Sequence, residues 1–476
     1  MPNFKRMPME PTQVVMFPVS VDESIPADAE VRLLSEAIDS LDWSGLVSSY
    51  SETGCPAYPP KVLAKILVYG LSKGIRSSRK LEDMAANHRF YIFVAGGLTP
   101  DHATISRFRK DKEEYLREAF RATVKLCAEA GLVLLSVTAT DGSKIPARAS
   151  KKSLYDEKRI DRQMEAIERV LAEADEVDRA EDELYGDAPV GKIPKELLDP
   201  KKRRAKLEEI AKNLKDSGCK SISATDKECR VMKTTRGLRP AYNMQITVDS
   251  ARGVILAADV TDAQTDNGQL EGQLKQVEEN IGLKVDVALA DTGYSDEATY
   301  KFLEESGQDA LIPPKEHPVE KKRNDLFASR CFLLDEERDV LVCPAGRKLT
   351  FRRVVKNHCG DYKVYTAEGC RSCSFYSECV SCKIKTARSV QVSIVANIRD
   401  AMKERLKTPE GRQVYGLRKQ TVERDLANIK SNMGLDRFLM HDKNGAKSET
   451  WLGCMTHNLM TYVRQVLSPS AQATCS

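Results

Sequence analysis

The sequence predicts a mixed α/β chain: a sheet-centred domain with a helical N-terminal segment and two insertions. Three observations predict it. Short apolar runs of strand length at residues 132–140, 242–248, 254–260, 285–290 and 310–312 are interleaved with helix-periodic stretches. Two of the runs end on an acid, Asp141 followed by Gly142 and Asp291 followed by Thr292 and Gly293. Two charged or cysteine-rich segments break the α/β alternation, one after the first run and one before a late helical segment.

In chain order, residues 1–28 are rich in Pro and Met and are expected to be a flexible N-terminus. Residues 29–126 read as a helical domain. Val31, Leu33, Leu34, Ala37 and Ile38 mark one amphipathic helix, and Val62, Leu63, Ile66 and Leu67 mark another. Arg76 to Leu81 leads into a third, and Pro100-Asp101 starts a fourth that runs through Phe108. The first long strand, 132–140, precedes a helical hairpin arm within residues 152–220, broken from Tyr185-Gly186 onward. Strands 242–248 and 254–260 flank Asp249 to Gly253, a hairpin with a Gly-containing turn. Then come a helix (269–281), a strand (285–290), a helix (296–305) and a strand (310–312).

A cysteine-rich, zinc-ribbon-like insertion occupies 315–411, and a helix bearing Glu423 closes the unit. That order matches a ribonuclease-H-like domain made of residues 127–314 and 412–466.

Composition limits the partners less than the local pattern does. The 476 residues carry 74 Lys+Arg against 70 Asp+Glu, a net charge of +4, which does not announce a polyanion binder. Residues 61–80, however, hold six basic residues and no acid, and Met164 to Glu183 is strongly acidic. Singly, such runs are as readily solvated faces. No apolar stretch approaches the roughly 20 residues of a membrane span and the start lacks a signal-peptide core, so a cytoplasmic protein without membrane contact is expected.

The chemistry-bearing residues are Asp141, Asp291 and Glu423. A carboxylate just past an apolar strand lies at the sheet edge where α/β sites collect. Two such carboxylates plus a helical Glu are hard oxygen ligands for two Mg²⁺ or Mn²⁺ ions, the set that serves phosphodiester chemistry. Any one alone would be an ordinary surface acid. On the Glu423 helix, Val422, Leu426, Ile429 and Met433 form a stripe suited to packing on the sheet, while Lys419, Glu423 and Lys430 share a neighbouring face. Lys419 and Lys430 are therefore candidates for phosphate contact, the alternative being a surface i, i+4 pair with Glu423.

Thirteen cysteines in a reducing compartment point to metal rather than disulfides. Cys343 with the pairs Cys370/Cys373 and Cys379/Cys382 offers five thiols for the four places of a structural Zn²⁺. The expected set is Cys343, Cys370, Cys373 and Cys379, with Cys382 as substitute; a reduced cluster without metal is the alternative.

These motifs together resemble the DDE transposases of bacterial insertion sequences, and among them insertion-sequence family 1182. The resemblance rests on Pro59-Pro60 to Gly70, Gly74 to Lys80, Thr99 to Phe108, Asp141-Gly142-x-Lys144, Thr225-Asp226, Tyr242-Asn243-x-Gln245, Asp291-x-Gly293-Tyr294, the cysteine module, Tyr415-x-x-Arg418 through Glu423 and Lys430, and His457-Asn458-Leu459. It implies Asp141, Asp291 and Glu423 as catalytic metal ligands, with Arg418, Lys419 and Lys430 on phosphates. It also implies a terminal-repeat reader in 29–126, for which Lys73, Arg76, Arg79, Lys80 and Arg107 are the candidate contacts. The superfamily pattern has Arg four residues before Glu; here Lys419 holds that place and Arg418 stands one earlier.

The implied activity is a transposase that binds the terminal inverted repeats of its element, cleaves DNA and joins the 3′-hydroxyl ends to target DNA. The implied partners are those DNAs and further copies of the chain, as a homodimer or higher oligomer, at the bacterial nucleoid. The rival readings are a metal-dependent nuclease without strand transfer and an inactive, zinc-bearing DNA-binding protein.

Overall fold

The computed structural model describes residues 20–51, 56–185, 195–315, 327–328, 331–335, 338–357, 360–380, 387–393 and 395–468. Seven helices open it: α1 Glu30–Asp39, α2 Ser44–Ser48, α3 Pro60–Ser72, α4 Ser78–Asn87, α5 Arg89–Ala95, α6 His102–Asp111 and α7 Glu113–Glu129. Their starts are written locally. Pro60 stands in the first turn of α3, where its missing N–H costs nothing. Ser77 caps α4, and the Asp101 carboxylate accepts from the Thr104 amide at 2.7 Å to cap α6. Residues 20–28 do not wholly bear out the expected flexible start, since Ile25 is buried and Asp22 pairs with Arg32 at 2.5 Å.

The central sheet contains β1 Val137–Pro146, β4 Arg230–Thr234, β5 Gly237–Asp249, β6 Ile255–Thr261, β7 Val287–Ala290 and β8 Asp309–Leu311. β5 is its longest strand. One edge of β5 takes β4 and β6, the other takes β1 antiparallel, and β7 and β8 follow parallel to β1. This mixed sheet is compatible with a ribonuclease-H-like domain. Helices α10 Gln269–Ile281 and α11 Glu297–Ser306 link its strands.

β1 departs from the sequence expectation. It begins at Val137, because residues 132–135 form a loop in which Leu135 has φ 59 and the Asp249 carboxylate accepts from the Leu134 and Leu135 amides at 3.2 and 2.8 Å. It then runs past Asp141 to Pro146, with Ile145 paired to Tyr242 of β5. Asp141 therefore lies within the strand, at the point where pairing to β7 stops.

The two insertions make small cores of their own. The short strands β2 Leu154–Tyr155 and β3 Ile222–Ser223 close the base of an arm formed by α8 Glu157–Tyr185 and α9 Lys195–Ser217, with Ile160, Ile210, Leu214 and Ile222 packed between. In the cysteine-rich segment, β9 Leu333–Asp335, β10 Val340–Val342, β11 Lys348–Asn357, β12 Gly360–Ala367 and β13 Ser389–Ser393 form an antiparallel sheet over Phe332, Leu341, Leu349, Tyr365 and Val390. The Glu423 segment, Pro409 to Asn432, buries Val422, Leu426 and Ile429, and Met433 just after it, as the periodicity predicts.

Residues 29–126 are not a separable unit in this fold. The last helix, Asp442–Tyr462, is buried from Gly445 to Thr461 almost without interruption and packs against α1, α3, α6, α7 and β6. One continuous apolar core runs from Ile25 through α7 and the central sheet to Val463. Arg76, expected on DNA, is instead spent on this junction. Its side chain is 9% exposed, pairs with Glu449 on the last helix and donates to the carbonyls of Gly434 at 2.5 Å and Arg437 at 2.8 Å. A guanidinium already holding three acceptors in the interior is not available to a phosphate. Among the described residues no helix is long and apolar enough to cross a membrane.

Removing one partner of a buried pair strands the other charge. Arg76→Ala should therefore cost about 3 kcal/mol or more of unfolding free energy in a denaturant titration. A loss under about 0.5 kcal/mol, the usual range for surface changes, would return Arg76 to the solvent side of the junction.

Candidate active site

The parallel register of β1 and β7 pairs Thr140 with Ala290, so Asp141 and Asp291 are the next residues of adjacent strands. The two carboxylates are close enough for the Asp291 charge to act on Asp141. Each carboxylate is oriented by the backbone that follows it. Gly142 N–H donates to Asp141 Oδ1 at 2.8 Å, and Gly293 N–H donates to Asp291 Oδ1 at 2.7 Å.

Alternation along β1 sends Asp141 and Ser143 to one sheet face, Gly142 and Lys144 to the other. The Glu423 segment packs against the first face. There Arg418 donates through Nη1 to Asp141 Oδ2 at 3.3 Å and through Nη2 to Glu423 Oε1 at 3.2 Å, and Lys430 Nζ reaches Ser143 Oγ at 3.1 Å. The Arg418 guanidinium lies 6.0 Å from the Tyr415 ring centre. Glu423 is thus linked to Asp141 through the guanidinium between them.

The helix geometry explains which cation does this. Residues Lys419–Glu423 and Asn428–Asn432 are π-helical, wound with five-residue rather than four-residue closure. Within the first π turn, position i−5 takes the place that i−4 has in an α-helix. Arg418 is thereby brought to Glu423 and buried, while Lys419 is exposed. The shared face expected for Lys419, Glu423 and Lys430 assumes a uniform α-helix, and for Lys419 it fails for this reason.

On the opposite face sits an acid that sequence reasoning misses. Asp266, in the loop between β6 and α10, accepts from Lys144 Nζ at both carboxylate oxygens at 2.8 Å. Asn243 Nδ2 donates to it at 2.7 Å and Gln245 Nε2 at 2.8 Å. Gln245 in turn accepts from the buried Tyr294 hydroxyl. The sequence does not single it out, since Asp262 is the acid directly after β6 and Asp266 stands further along the loop.

The electrostatics follow from this crowding. Burial, with Asp291 and Asp266 nearby, pushes the Asp141 carboxyl up to about 6, although the Gly142 amide and Arg418 favour its anion. Burial also acts on Asp266, but Lys144, Asn243 and Gln245 outweigh it and hold that carboxyl below the ordinary range. Tyr294 is held well above the ordinary phenol range by burial and then by Asp266, Asp141 and Asp291. Hard oxygen donors around a buried guanidinium suit a small divalent cation. In this arrangement, among the described residues, no three His, Cys, Asp or Glu side chains converge tightly enough to hold one ion.

The remaining candidates are dispersed. Lys73 pairs with Glu30 and lies over the Tyr69 ring at 5.4 Å. Arg79, Lys80 and Arg107 are exposed on α4 and α6. Cys343, Cys370, Cys373 and Cys379 line one small cavity of about 20 Å³ with Phe332, Leu349 and Tyr376, and burial, followed by the other three sulfurs, raises the Cys379 thiol. Cys370 belongs to the small apolar core and Cys343 and Cys379 pack against it, and among the described residues these sulfurs do not converge as a metal-holding group. Cys382, His358 and Cys359 lie outside the described residues.

Residues 342–463 match the family model described as "Transposase DDE domain", and residues 19–111 match that described as "Transposase domain (DUF772)". No curated protein matches the chain. The first match contains Arg418, Glu423 and Lys430 but neither aspartate. Both matches are to transposase domains, and the last helix of the first packs on α1, α3 and α6 of the second within one core.

The Asp141 shift makes a signed prediction for the protein without divalent metal. Its folded value, about 6, lies above the unfolded value of about 3.9, so its contribution to stability is fully present below pH 4 and is lost as pH rises through 6. Asp141→Asn should be more stable than the wild type by roughly 2 kcal/mol at pH 8, with the gain gone at pH 4. Equal melting curves at both pH values would show that the carboxylate is not confined as described.

Proposed function

We propose that this chain, with its two transposase domains, is a DDE transposase that cleaves DNA at the ends of a mobile element and joins the 3′-hydroxyl ends to a target. The observation that carries the reading is the meeting of Asp141 and Asp291, side by side in parallel register, with Glu423 through Arg418. Asp141, Asp291 and Glu423 would hold Mg²⁺ or Mn²⁺. When bound, two such ions activate the attacking and leaving oxygens of a phosphodiester.

The chain's own residues have separable tasks in this reading. The Gly142 and Gly293 amides hold each aspartate in one rotamer, so the site is ordered before substrate arrives. Arg418 screens Asp141 from Glu423, and its guanidinium has the geometry to donate to a phosphate in bidentate fashion. Lys430, held at Ser143 beside Asp141, supplies a second positive charge to the same phosphate run. Arg79, Lys80 and Arg107 are the surface cations left to the terminal-repeat reader once Arg76 is assigned to the domain junction.

Asp141→Ala, Asp291→Ala and Glu423→Ala should each abolish Mg²⁺-dependent cleavage and joining of terminal-repeat DNA, with binding retained in a mobility-shift assay. One variant cleaving at near wild-type rate would remove that residue from the site. Wild-type cleavage without joining would favour a simple nuclease, and binding without cleavage would favour an inactive DNA-binding protein.

A structural Zn²⁺ on Cys343, Cys370, Cys373 and Cys379 belongs to the same reading, supported by four thiols around one cavity. Elemental analysis of protein purified without chelator should find about one zinc per chain, and chelator should lower its melting temperature. Absence of zinc together with indifference to chelator would leave the four thiols as core residues.

A further inference from the structure

Lys144 poses a problem for a divalent-cation site. It is three residues beyond Asp141, and the edge of β1 past Thr140 is no longer paired to β7. A four-carbon side chain there can swing round the strand edge and neutralise Asp141 or Asp291 directly. An ammonium so placed would compete with a metal for the same oxygens.

The opposite face of the sheet is built to prevent this. The antiparallel register sets Gly142 opposite Gln245 and Lys144 opposite Asn243, so three donors on one face converge on Asp266. The space for that carboxylate is made by glycine at both strand ends. A Cβ at Gly142 would collide with Asp266 Oδ1 and Gln245 Nε2, and a Cβ at Gly293 would stand 3.2 Å from Asp266 Oδ2. The Asp266 carboxylate is therefore wedged between the residue after Asp141 and the second residue after Asp291, and it binds the Lys144 ammonium through both oxygens. The pair is largely withdrawn from water, with side-chain exposures of 19% and 17%. Asn243 and Gln245 both donate to Oδ1, the oxygen that Lys144 shares with them, so Asp266 is fixed while it holds the lysine.

We propose that Asp266 is a positioning residue that sequesters Lys144 on the far face of the sheet and so keeps Asp141 and Asp291 open to divalent metal. It rests on the metal-site reading above, and its test is designed to separate the two. Asp266 does not touch the reacting atoms; it acts through Lys144.

The experiment is binding of Mn²⁺ alone to the full chain without DNA, followed by electron paramagnetic resonance, with thermal melting in parallel. Asp266→Asn should weaken Mn²⁺ binding roughly 10- to 100-fold, the usual cost of losing an outer partner of a metal site. Adding Lys144→Met to it should restore most of that affinity, because the competing ammonium is gone. Lys144→Met alone should bind Mn²⁺ at least as tightly as the wild type, which keeps the proposal testable if Asp266→Asn does not fold.

A merely structural Asp266 would lower the melting temperature and would not be rescued by Lys144→Met. Wild-type Mn²⁺ affinity in Asp266→Asn, a double variant as weak as the single one, or weakened binding in Lys144→Met would each overturn the proposal. Mn²⁺ binding that persists in Asp141→Asn, or is absent in the wild type, would instead remove the metal site and the proposal with it.

Discussion

The last helix is the constraint on which the rest of the fold depends. From Asp442 to Tyr462 it touches nearly every layer, and its polar side chains act as ties rather than as surface. Asn458 closes a pair of hydrogen bonds with the backbone of Ile255, at 2.8 and 2.9 Å, where β6 begins. Trp451 donates to Ala258 O on the same strand at 2.8 Å, and His457 bonds Gly253 O at 2.8 Å beneath the β5–β6 turn. Glu449 takes Arg76 from the helical N-terminal segment and two backbone amides, Leu439 and Met440. These groups are buried, so each bond left unmade would cost more than the bond itself contributes. The helix therefore sets a single mutual arrangement for the N-terminal helices, the sheet and the chain leading out of the Glu423 segment.

That arrangement has an electrostatic consequence at the other end of the sheet. Four carboxylates, Asp141, Asp266, Asp291 and Glu423, are drawn to one strand end by independent elements. Burial, with Asp291 and Asp266 nearby, raises the Asp141 carboxyl, whereas Lys144, Asn243 and Gln245 hold Asp266 low against its own burial. The structure answers with one cation on each face: Arg418 between Asp141 and Glu423, Lys144 within Asp266. The two are not equivalent. Arg418 makes two hydrogen bonds longer than 3 Å to two different acids, whereas Lys144 makes two of 2.8 Å to one acid that is itself held by two amides. The first cation is poised to be exchanged and the second is fixed.

Much of this is legible in the sequence, and the failures have physical causes. The order of strands and helices from β5 to β8 can be read because each strand is short, apolar and bounded by polar or Gly-containing turns. The three carboxylates stand out because two of them follow apolar runs and the third lies on a periodic helix. The last helix cannot be read from its periodicity, since a helix buried on every side has no polar face to alternate with its apolar one. Arg76 misleads for a related cause. A basic, Ser-rich connection looks the same whether its arginine meets a phosphate or an internal carboxylate, and the deciding residue, Glu449, lies 373 positions away. Asp266 escapes notice because its loop shows no periodicity, and only the β1–β5 register brings Lys144, Asn243 and Gln245 to it.

Lys419 shows how such errors arise even within a correctly identified helix. Each α-helical residue turns the chain by about 100°, so one extra residue between a cation and an acid should move the cation well off the shared face. Spacing alone therefore favours Lys419, four before Glu423, over Arg418, five before it. The π turn reverses that preference because it absorbs the extra residue within one widened turn and leaves the helix on either side in phase. Val422 and Leu426 remain buried on the sheet, and Arg418 recovers the position that a uniform helix would have denied it. The contacts from Arg418 to Asp141 and Glu423 are the ion pairs that this turn makes possible. The π turn thus decides which cation meets the two acids, a choice that uniform helical spacing does not show.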